Sequence, residues 1–233
     1  MKKYRHVIFD ADYTLIDFGE DEKRAFRAAF QNTPLDREEM IAEMREYSRD
    51  NWEALGLNRV NDPTIRREYH ALHYVHVHAL FEYAKETYDR GLTDEKERVF
   101  FETLSSPAHP CEGALETVKA LSKKYAVSVA TNGLSKMQRA RLTEFTPYLF
   151  RLFVSEEMDA IKPAREFGNA VLRSLHARAE DCLFVGDSLV SDIALANKLG
   201  MDAVWCNPEK RELPEGYRVI KEIGSTGELI NFL

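Results

Sequence analysis

Seven polar side chains stand where short apolar runs of the sequence end or where a helix is predicted to begin. They are Asp10, Asp12, Thr131, Asn132, Lys162, Asp187 and Asp192. Carboxylates gathered in one place form a hard oxygen site of the kind that Mg²⁺ prefers. A hydroxyl group, the N–H groups of a loop before a helix, and a lysine ammonium group suit a phosphate. Together these residue types indicate a site that handles a phosphate with the help of a divalent cation.

These side chains can meet only if the apolar runs form one sheet. Short apolar runs typical of buried strands cover residues 7–9, 126–130, 152–154, 183–185 and 203–205. Helical patterns fall between the later runs, at residues 112–123, 134–145, 165–176 and 189–199. Strands that alternate with helices predict βαβ units and a parallel sheet. Ligands bind such a sheet at the carboxyl ends of its strands, where the polar residues stand.

The stretch from residue 17 to residue 108 has a different character. It is rich in Glu, Arg, Tyr and His and has no convincing strand. Its pattern predicts about four helices, one of which begins at Asp62-Pro63, an N-cap residue followed by proline at the first helical position. The first apolar run stands alone before this stretch, whereas the sheet that could receive it lies after it. We therefore predict an α/β core domain of residues 1–16 and 109–233, with residues 17–108 inserted as a helical domain.

Composition and charge narrow the classes of partner. The 233 residues include 32 Lys and Arg against 39 Asp and Glu, which gives a formal net charge of −7 at pH 7. This balance argues against a nucleic acid polymer or an anionic membrane surface as the partner. A small anionic substrate stays open, because a local site can oppose the global charge. No apolar run approaches the ~18 residues that a membrane helix needs, so we expect no membrane partner.

The N-terminal sequence and the cysteines indicate the cellular compartment of the protein. Only the three apolar residues 7–9 precede Asp10, too few for the core of a signal peptide. The three cysteines, Cys111, Cys182 and Cys206, are odd in number and widely spaced, and they match no zinc spacing and no disulfide framework. Both observations favour a reducing compartment, and we expect the protein to be cytoplasmic.

Four segments match, in order, the motifs of one enzyme superfamily. Residues 10–14 read Asp-x-Asp-x-Thr, Thr131 and Lys162 match the second and third motifs, and residues 186–192 read Gly-Asp-Ser-x-x-x-Asp. In this order and at predicted strand ends, they resemble the haloacid dehalogenase (HAD) superfamily. The insertion directly after the first motif resembles the helical C1 cap of that superfamily. The Ser-Glu-Glu sequence at residues 155–157 is similar to that of its pyrimidine 5′-nucleotidases.

The resemblance implies a fold, a cofactor and two catalytic carboxylates. The implied fold is a Rossmann-like α/β core with a parallel sheet plus an inserted α-helical cap domain. Asp10 is implied as the nucleophile that forms an aspartyl-phosphate, and Asp12 as the general acid and then the general base. Asp10, Asp187 and the backbone carbonyl group of Asp12 are implied as ligands of a Mg²⁺ cofactor.

The remaining motif residues are implied to bind the phosphoryl group. Thr131 and the N–H group of Asn132 would hold its oxygens, and Lys162 would offset the negative charge on it and on Asp10. Two interpretations of Asp192 stay open. Either it orients Lys162 or the waters of the metal, or it is an acid at the beginning of the following helix.

We expect a Mg²⁺-dependent phosphomonoester hydrolase whose partner is a small phosphate ester, with nucleoside 5′-monophosphates as the first candidates. Phosphoglycolate, sugar phosphates and acylneuraminate 9-phosphate stay open, because the core residues address only the phosphoryl group and the metal. A dehalogenase of the superfamily lacks the second aspartate of the first motif, since a halide needs no proton. Asp12 therefore favours phosphate ester hydrolysis. A phosphomutase also retains this aspartate, so Asp12 argues against a dehalogenase but not against a phosphomutase.

Two interpretations from other classes fit less well. A signalling receiver domain also gathers acids, a threonine and a lysine on a parallel sheet, but its chain is much shorter and has no helical insertion after the first strand. A homologue that only binds its ligand would not need the catalytic groups. In this chain Asp10, Asp12, Thr131, Lys162 and Asp187 are all present.

Four histidines fall on one predicted helix of the inserted stretch. They are His70, His73, His76 and His78. His70 and His73 are spaced i,i+3, which metal sites can use, but no nearby acids or cysteines complete a convincing ligand pattern. Three roles therefore stay open: metal binding, packing or exposure within the cap, and contact with the substrate.

Overall fold

The computed structural model describes residues 4–233 and contains a parallel sheet of six strands. The strands are β1 His6–Phe9, β2 Ala126–Thr131, β3 Arg151–Val154, β4 Cys182–Gly186, β5 Asp202–Cys206 and β6 Lys221–Ile223. Their order across the sheet is β3-β2-β1-β4-β5-β6, and each neighbouring pair is parallel. The predicted α/β core with a parallel sheet is confirmed.

The first strand of the chain lies at the centre of the sheet, between β2 and β4. Its last residue, Phe9, pairs with Val129 of β2 and with Val185 of β4. All four residues of β1 are buried, as a strand covered on both faces of a parallel sheet must be. The isolated first apolar run therefore joins a sheet whose other strands come after residue 108. The carboxyl ends of three neighbouring strands meet beside the residue that follows Phe9.

The edge strand β6 has no counterpart among the predicted strands. Its three residues expose Lys221 and Glu222 and bury only Ile223, so no apolar run marks it in the sequence. Ile223 packs into the apolar layer on one face of the sheet. A short edge strand is held by backbone hydrogen bonds to one neighbour, here β5, and it needs little burial of its side chains.

Eight α-helices are present in the part of the chain that the structure describes. Four lie between β1 and residue 109: α1 Phe18–Phe30, α2 Glu38–Ala54, α3 Pro63–Thr87 and α4 Asp94–Leu104. The others are α5 Ala114–Leu121, α6 Ser135–Arg141, α7 Arg165–Leu175 and α8 Ala194–Leu199. The pattern at residues 189–199 predicts one helix, but Leu189–Ile193 forms a wider π turn before α8 begins. Such turns are frequent at functional sites.

Helices α1 to α4 pack around a shared cluster of buried apolar side chains. Phe26 of α1 and Phe100 of α4, both fully buried, bring their ring centroids to 4.6 Å from each other. The predicted N-cap of α3 is present, because the side chain of Asp62 accepts a hydrogen bond from the backbone N–H of Thr64 at 2.8 Å. We propose that residues 17–108 form the inserted helical domain that the sequence predicts.

The three cysteines are free thiols. Burial raises the pKa of the Cys206 thiol to about 12, so this residue behaves as a small apolar side chain rather than as a reactive thiolate. Within residues 4–233, no helix combines the length and the apolar character that crossing a membrane requires. The cytoplasmic location stays a prediction.

Candidate active site

Asp10 follows the central strand β1 and is 7% exposed. Its backbone N–H donates to the carbonyl oxygen of Val185 at 2.8 Å, which extends the pairing of β1 with β4 by one residue. The ammonium group of Lys162 donates to the carboxylate of Asp10 and, at 2.8 Å, to the carbonyl oxygen of Ala130. A buried ammonium group needs such partners, because an unpaired charge inside a protein is costly. The structure thus brings the first and third motifs into contact.

Three carboxylates gather beside this ammonium group. Asp10, Asp187 and Asp192 each offer an oxygen that lies within 4.8 Å of the other two. Burial, followed by repulsion from Asp192, raises the pKa of Asp10 to about 7, although Lys162 acts in the opposite direction. Burial and the two neighbouring carboxylates likewise raise the pKa of Asp187 well above its ordinary value. The ammonium group of Lys162 keeps its proton, since the pull of Asp10 and Asp192 outweighs the effect of burial and raises its pKa.

The donor set of this cluster fits a divalent cation. One ammonium group neutralises only one of three carboxylates, so the ionised acids repel one another unless further positive charge is supplied. Carboxylate oxygens are the ligands that Mg²⁺ prefers. Of the two predicted carboxylate ligands, Asp10 and Asp187 both belong to the cluster. The predicted contribution of Asp12 is its backbone carbonyl oxygen, and its carboxylate hydrogen-bonds to residues outside the cluster.

Asp192 is fully buried and has partners on both carboxylate oxygens. Oδ1 lies 2.8 Å from the ammonium nitrogen of Lys162, and Oδ2 accepts from the backbone N–H of Ser188 at 3.1 Å. A Cβ atom on Gly186 would stand 2.4 Å from Oδ2, so only glycine leaves room for this carboxylate. Asp192 therefore has the contact with Lys162 that its orienting role requires, and it also lies in the first turn after β4, as the other interpretation has it.

Thr131 ends β2 and Asn132 follows it, so both lie at the carboxyl-terminal edge of the sheet. The side chain of Asn132 holds the backbone of Lys162: its Oδ1 accepts from the N–H at 2.8 Å, and its Nδ2 donates to the carbonyl oxygen at 3.0 Å. The hydroxyl group of Thr131 accepts from the side-chain amide of Gln138 at 2.8 Å. The side chain of Asn132 thus positions the lysine, which leaves the predicted phosphate contact to its backbone N–H group.

Two residues outside the motifs contact the carboxylate of Asp12. Arg141 donates to Oδ1 at 2.5 Å, and Gln138 donates to Oδ2 at 2.7 Å. Both lie on the buried face of α6, three residues apart, where one turn of helix places side chains side by side. In the sequence, these two residues could be recognised only as a polar pair on the helix face that also carries buried Met137.

Two of the four histidines of α3, His70 and His78, contact polar side chains outside that helix while remaining partly or largely exposed. Nε2 of half-buried His70 lies 2.8 Å from the hydroxyl oxygen of Ser155, in the segment that follows β3. His78 is exposed, and its Nδ1 lies 3.0 Å from a carboxylate oxygen of Glu97. Within residues 4–233, the histidines join no group of three potential metal-binding side chains. Metal binding, one of the three open roles, is therefore not supported.

The other two histidines pack against Trp52. The ring centroids of His73 and His76 lie 4.9 Å and 5.4 Å from that of the indole, in edge-on geometry. Nδ1 of His76 lies 2.8 Å from the side-chain oxygen of Asn51. Burial lowers the pKa of His73 to about 3 and that of His76 to about 4, so both are neutral near pH 7. These contacts match the packing role.

A cavity of about 470 Å³ opens between the edge of the sheet and helices α1 to α4. On the sheet side it is lined by Asp10, Asp12, Thr131, Asn132, Lys162 and Asp187. On the helix side its lining is largely apolar and aromatic and includes Phe18, Trp52, Leu57, Val60, Tyr69 and Val77. Two more open depressions elsewhere hold none of the predicted site residues. The volume lies in the range of small-molecule sites, roughly 300–1,000 Å³.

Comparison with known protein families shows which family this chain belongs to. The model of a family described as haloacid dehalogenase-like hydrolase matches residues 4–200. The chain belongs to this family. It is therefore an enzyme, a HAD-family hydrolase, and the resemblance stated from the four motifs is confirmed.

Curated relatives extend over most of this HAD-family chain. The HAD-hydrolase YfnB of Bacillus subtilis is 33% identical over 222 residues, which cover 92% of this chain and 89% of that protein. The pyrimidine 5′-nucleotidase PynA of Streptococcus pneumoniae is 26% identical over 241 residues, with coverages of 99% and 95%. The pyrimidine 5′-nucleotidase YjjG of Escherichia coli is 30% identical over 137 residues, with coverages of 58% and 61%.

Solved structures share the whole fold. The structure of YfnB from Bacillus subtilis, described as bound to magnesium, has a TM-score of 0.80 at 27% identity and covers 100% of this chain and 99% of its own. A structure described as a dehalogenase with an intermediate complex has a TM-score of 0.74 at 19% identity, with coverages of 100% and 98%. The second likeness shows the fold alone. The Rossmann-like HAD fold that the sequence predicts is confirmed.

Proposed function

We propose that this HAD-family hydrolase cleaves phosphate monoesters and that Asp10 is its nucleophile. The observation that carries the proposal is the place of Asp10, buried at the centre of the sheet edge in contact with Lys162 and beside Asp187 and Asp192. A carboxylate that attacks a phosphoryl group faces charge repulsion, so the site must supply positive charge to both. Lys162 supplies it directly at the carboxylate of Asp10.

Mg²⁺ is the proposed cofactor, held by the carboxylates of Asp10 and Asp187 and by the backbone carbonyl oxygen of Asp12. When bound, the ion supplies further positive charge to the phosphoryl oxygens. Support comes from the clustered carboxylates and from the magnesium-bound structure of the similar YfnB. Asp192 is the proposed positioning residue for Lys162, through their 2.8 Å contact.

The proposed reaction has two steps. In the first, a carboxylate oxygen of Asp10 attacks phosphorus, the bond from phosphorus to the ester oxygen breaks, and Asp12 gives its proton to that oxygen. In the second, water attacks phosphorus, Asp12 takes a proton from the water, and the bond to Asp10 breaks to release inorganic phosphate. Thr131 and the N–H group of Asn132 hold the phosphoryl oxygens in both steps.

The proposed substrates are nucleoside 5′-monophosphates, with pyrimidine nucleotides first. The helix side of the cavity offers the apolar and aromatic surface on which a nucleobase can pack. The similar PynA and YjjG are both described as pyrimidine 5′-nucleotidases. A protein of Pyrococcus furiosus described as a glyceraldehyde 3-phosphate phosphatase is 22% identical over 213 residues. Sugar phosphates and other small phosphate esters therefore form the alternative.

A substrate panel tests this proposal. We expect kcat/KM for UMP and dTMP to exceed that for phosphoglycolate, acylneuraminate 9-phosphate and sugar phosphates, because a nucleobase buries apolar area at the helix side of the cavity. Burial contributes roughly 25 cal/mol per Å², so about 60 Å² of it corresponds to about tenfold in kcat/KM. The measurement is the release of inorganic phosphate in the presence of Mg²⁺.

Ribose 5-phosphate is the matched control, since it keeps the sugar and the phosphate and lacks the base. Its kcat/KM is expected to fall below that of UMP by about tenfold or more. A higher kcat/KM for any sugar phosphate than for UMP and dTMP would reject the nucleotidase proposal and leave the phosphatase proposal in place.

A further inference from the structure

Arg141 is a buried guanidinium group that joins two carboxylates. Only 1% of its side chain is exposed. Nη1 donates to Oδ1 of Asp12 at 2.5 Å, and Nη2 donates to Oδ2 of Asp21 at 3.1 Å. The planar guanidinium group fixes the angle between these two bonds. Arg141 therefore fixes the direction of the Asp12 side chain relative to Asp21, which lies nine residues further along the chain.

Gln138 completes the hold on Asp12. Its Nε2 donates to Oδ2 of Asp12 at 2.7 Å, and its Oε1 accepts from Nη1 of Arg141 at 3.1 Å. Both oxygens of Asp12 thus accept from α6, each from a different residue. Two separate anchors fix the rotation of a carboxylate plane, whereas a single hydrogen bond leaves that rotation free.

The far end of the network is itself fixed. Asp21 is fully buried, and its Oδ1 accepts from the backbone N–H of His109 at 3.0 Å and from Nδ1 of the same residue at 2.8 Å. The carbonyl oxygen of His109 accepts from the backbone N–H of Asp17 at 2.8 Å. Asp17 and His109 lie where the chain leaves the sheet for α1 and returns to it. Arg141 is therefore anchored to the two connections between the sheet and helices α1 to α4.

Stability alone gives little reason to keep this arrangement. Taking a guanidinium group and two carboxylates out of water is costly, and apolar residues of similar volume often serve stability as well or better. Nε of Arg141 is also buried and has no hydrogen-bond partner within residues 4–233. An unsatisfied buried donor adds to the cost. What the arrangement provides is a fixed orientation for the carboxylate of Asp12, which lines the cavity.

We propose that Arg141, together with Gln138, is the positioning residue for Asp12, the proposed general acid and base. The inference rests on the proposed function, because Asp12 needs a fixed direction only if it transfers protons to and from the reacting oxygens. In this proposal Arg141 acts through Asp12, to which it donates directly. Proton transfer falls off when donor and acceptor are misplaced by about 1 Å, so a carboxylate free to rotate is a poor acid.

The defect of an Arg141 variant should depend on the leaving group of the substrate. An alkoxide, such as the 5′-oxygen of a nucleoside, must be protonated as it leaves. A 4-nitrophenolate ion is stable without a proton and leaves unaided. Since kcat/KM reports the steps up to the loss of the leaving group, the variant should lose kcat/KM for UMP and keep it for 4-nitrophenyl phosphate.

The experiment compares Asp12→Asn, Arg141→Met and Gln138→Met with the unmodified enzyme on UMP and 4-nitrophenyl phosphate. Asp12→Asn sets the size of the leaving-group effect, since general acid catalysis contributes about 10²–10⁴-fold. For Arg141→Met we expect kcat/KM to fall about 10²-fold for UMP and by less than about threefold for 4-nitrophenyl phosphate. A burst of 4-nitrophenolate, about one per active site, is expected as well, because Asp12 then activates water slowly in the second step.

Arg139→Met is the matched control. Arg139 lies on the same helix with 54% of its side chain exposed, and it pairs with Glu157. This variant should leave kcat/KM for both substrates unchanged. Gln138→Met keeps the Arg141–Asp21 pair. Because Gln138 also donates to the hydroxyl group of Thr131 at 2.8 Å, this variant is expected to lower kcat/KM for both substrates and to lower it further for UMP. This larger loss for UMP tests the proposal even where Arg141→Met does not fold.

The outcomes separate the two proposals. Equal loss of kcat/KM for both substrates in folded Arg141→Met or Gln138→Met, with a selective loss in Asp12→Asn, overturns the positioning role and leaves the proposed function intact. No leaving-group dependence in Asp12→Asn overturns the acid role of Asp12, and the positioning role falls with it. A larger loss for UMP than for 4-nitrophenyl phosphate in all three variants supports both.

Discussion

Asp10→Asn is expected to lower kcat for phosphate ester hydrolysis by about four orders of magnitude or more. The amide keeps the shape of the side chain but cannot attack phosphorus, so the aspartyl-phosphate cannot form. The buried surroundings of Asp10 and its neighbour Lys162 accept a side chain of the same size, so the fold should persist. The release of inorganic phosphate measures the loss, and circular dichroism together with thermal melting checks the fold.

Asp36→Asn is the control for this substitution, because it removes the charge of an exposed aspartate at the beginning of the α2 segment. Its kcat should equal that of the unmodified enzyme. Turnover by folded Asp10→Asn at more than a small fraction of the normal rate would mean that another group attacks phosphorus, and the assignment of Asp10 would be wrong.

Removal of divalent cations is the second change with a very large expected effect. In EDTA the enzyme should lose all measurable phosphatase activity, and added Mg²⁺ should restore it. The physical reason is the cluster of Asp10, Asp187 and Asp192, whose like charges are offset, among residues 4–233, by the ammonium group of Lys162. Without further positive charge, an anionic phosphate ester is repelled from the site.

Thermal melting measures the binding of Mg²⁺ independently of catalytic activity. Mg²⁺ at 100 times its dissociation constant should stabilise the folded enzyme by about 2.7 kcal/mol, which raises the melting temperature. Asp187→Asn removes one proposed ligand and should abolish most of that rise. Full turnover in excess chelator, or an equal rise in the melting temperature of Asp187→Asn, would contradict the proposed metal site.

The central part of the fold and site could be predicted because its signals are local. Residues 7–9 form an apolar run that ends at Asp10, and each of the other motifs also stands at the end of a predicted strand or before a predicted helix. In a parallel sheet the strand ends meet at one edge, so local positions translate into a shared site. The structure brings Asp10, Lys162 and Asp187 together in this way, although their catalytic roles stay predictions.

The partners of Asp12 could not be predicted in the same way. Arg141 and Asp21 are 120 residues apart, and their contact depends on how α6 lies against α1. No periodicity within either helix carries that information. The π turn of Leu189–Ile193 is similarly hidden, because its sequence satisfies the pattern of an ordinary helix. Strand β6 is hidden for the opposite reason, since backbone pairing holds it and its side chains are mostly exposed.

The covalent step is the central claim, and trapping it tests the claim most directly. The enzyme, quenched in acid during turnover of 4-nitrophenyl phosphate with Mg²⁺, is digested and examined by mass spectrometry. The account predicts that the peptide containing Asp10 gains the mass of one phosphoryl group, and that this gain is larger in Asp12→Asn and absent in Asp10→Asn. A phosphoryl group on any other residue, or turnover with no phosphorylated peptide in either the unmodified enzyme or Asp12→Asn, would contradict it.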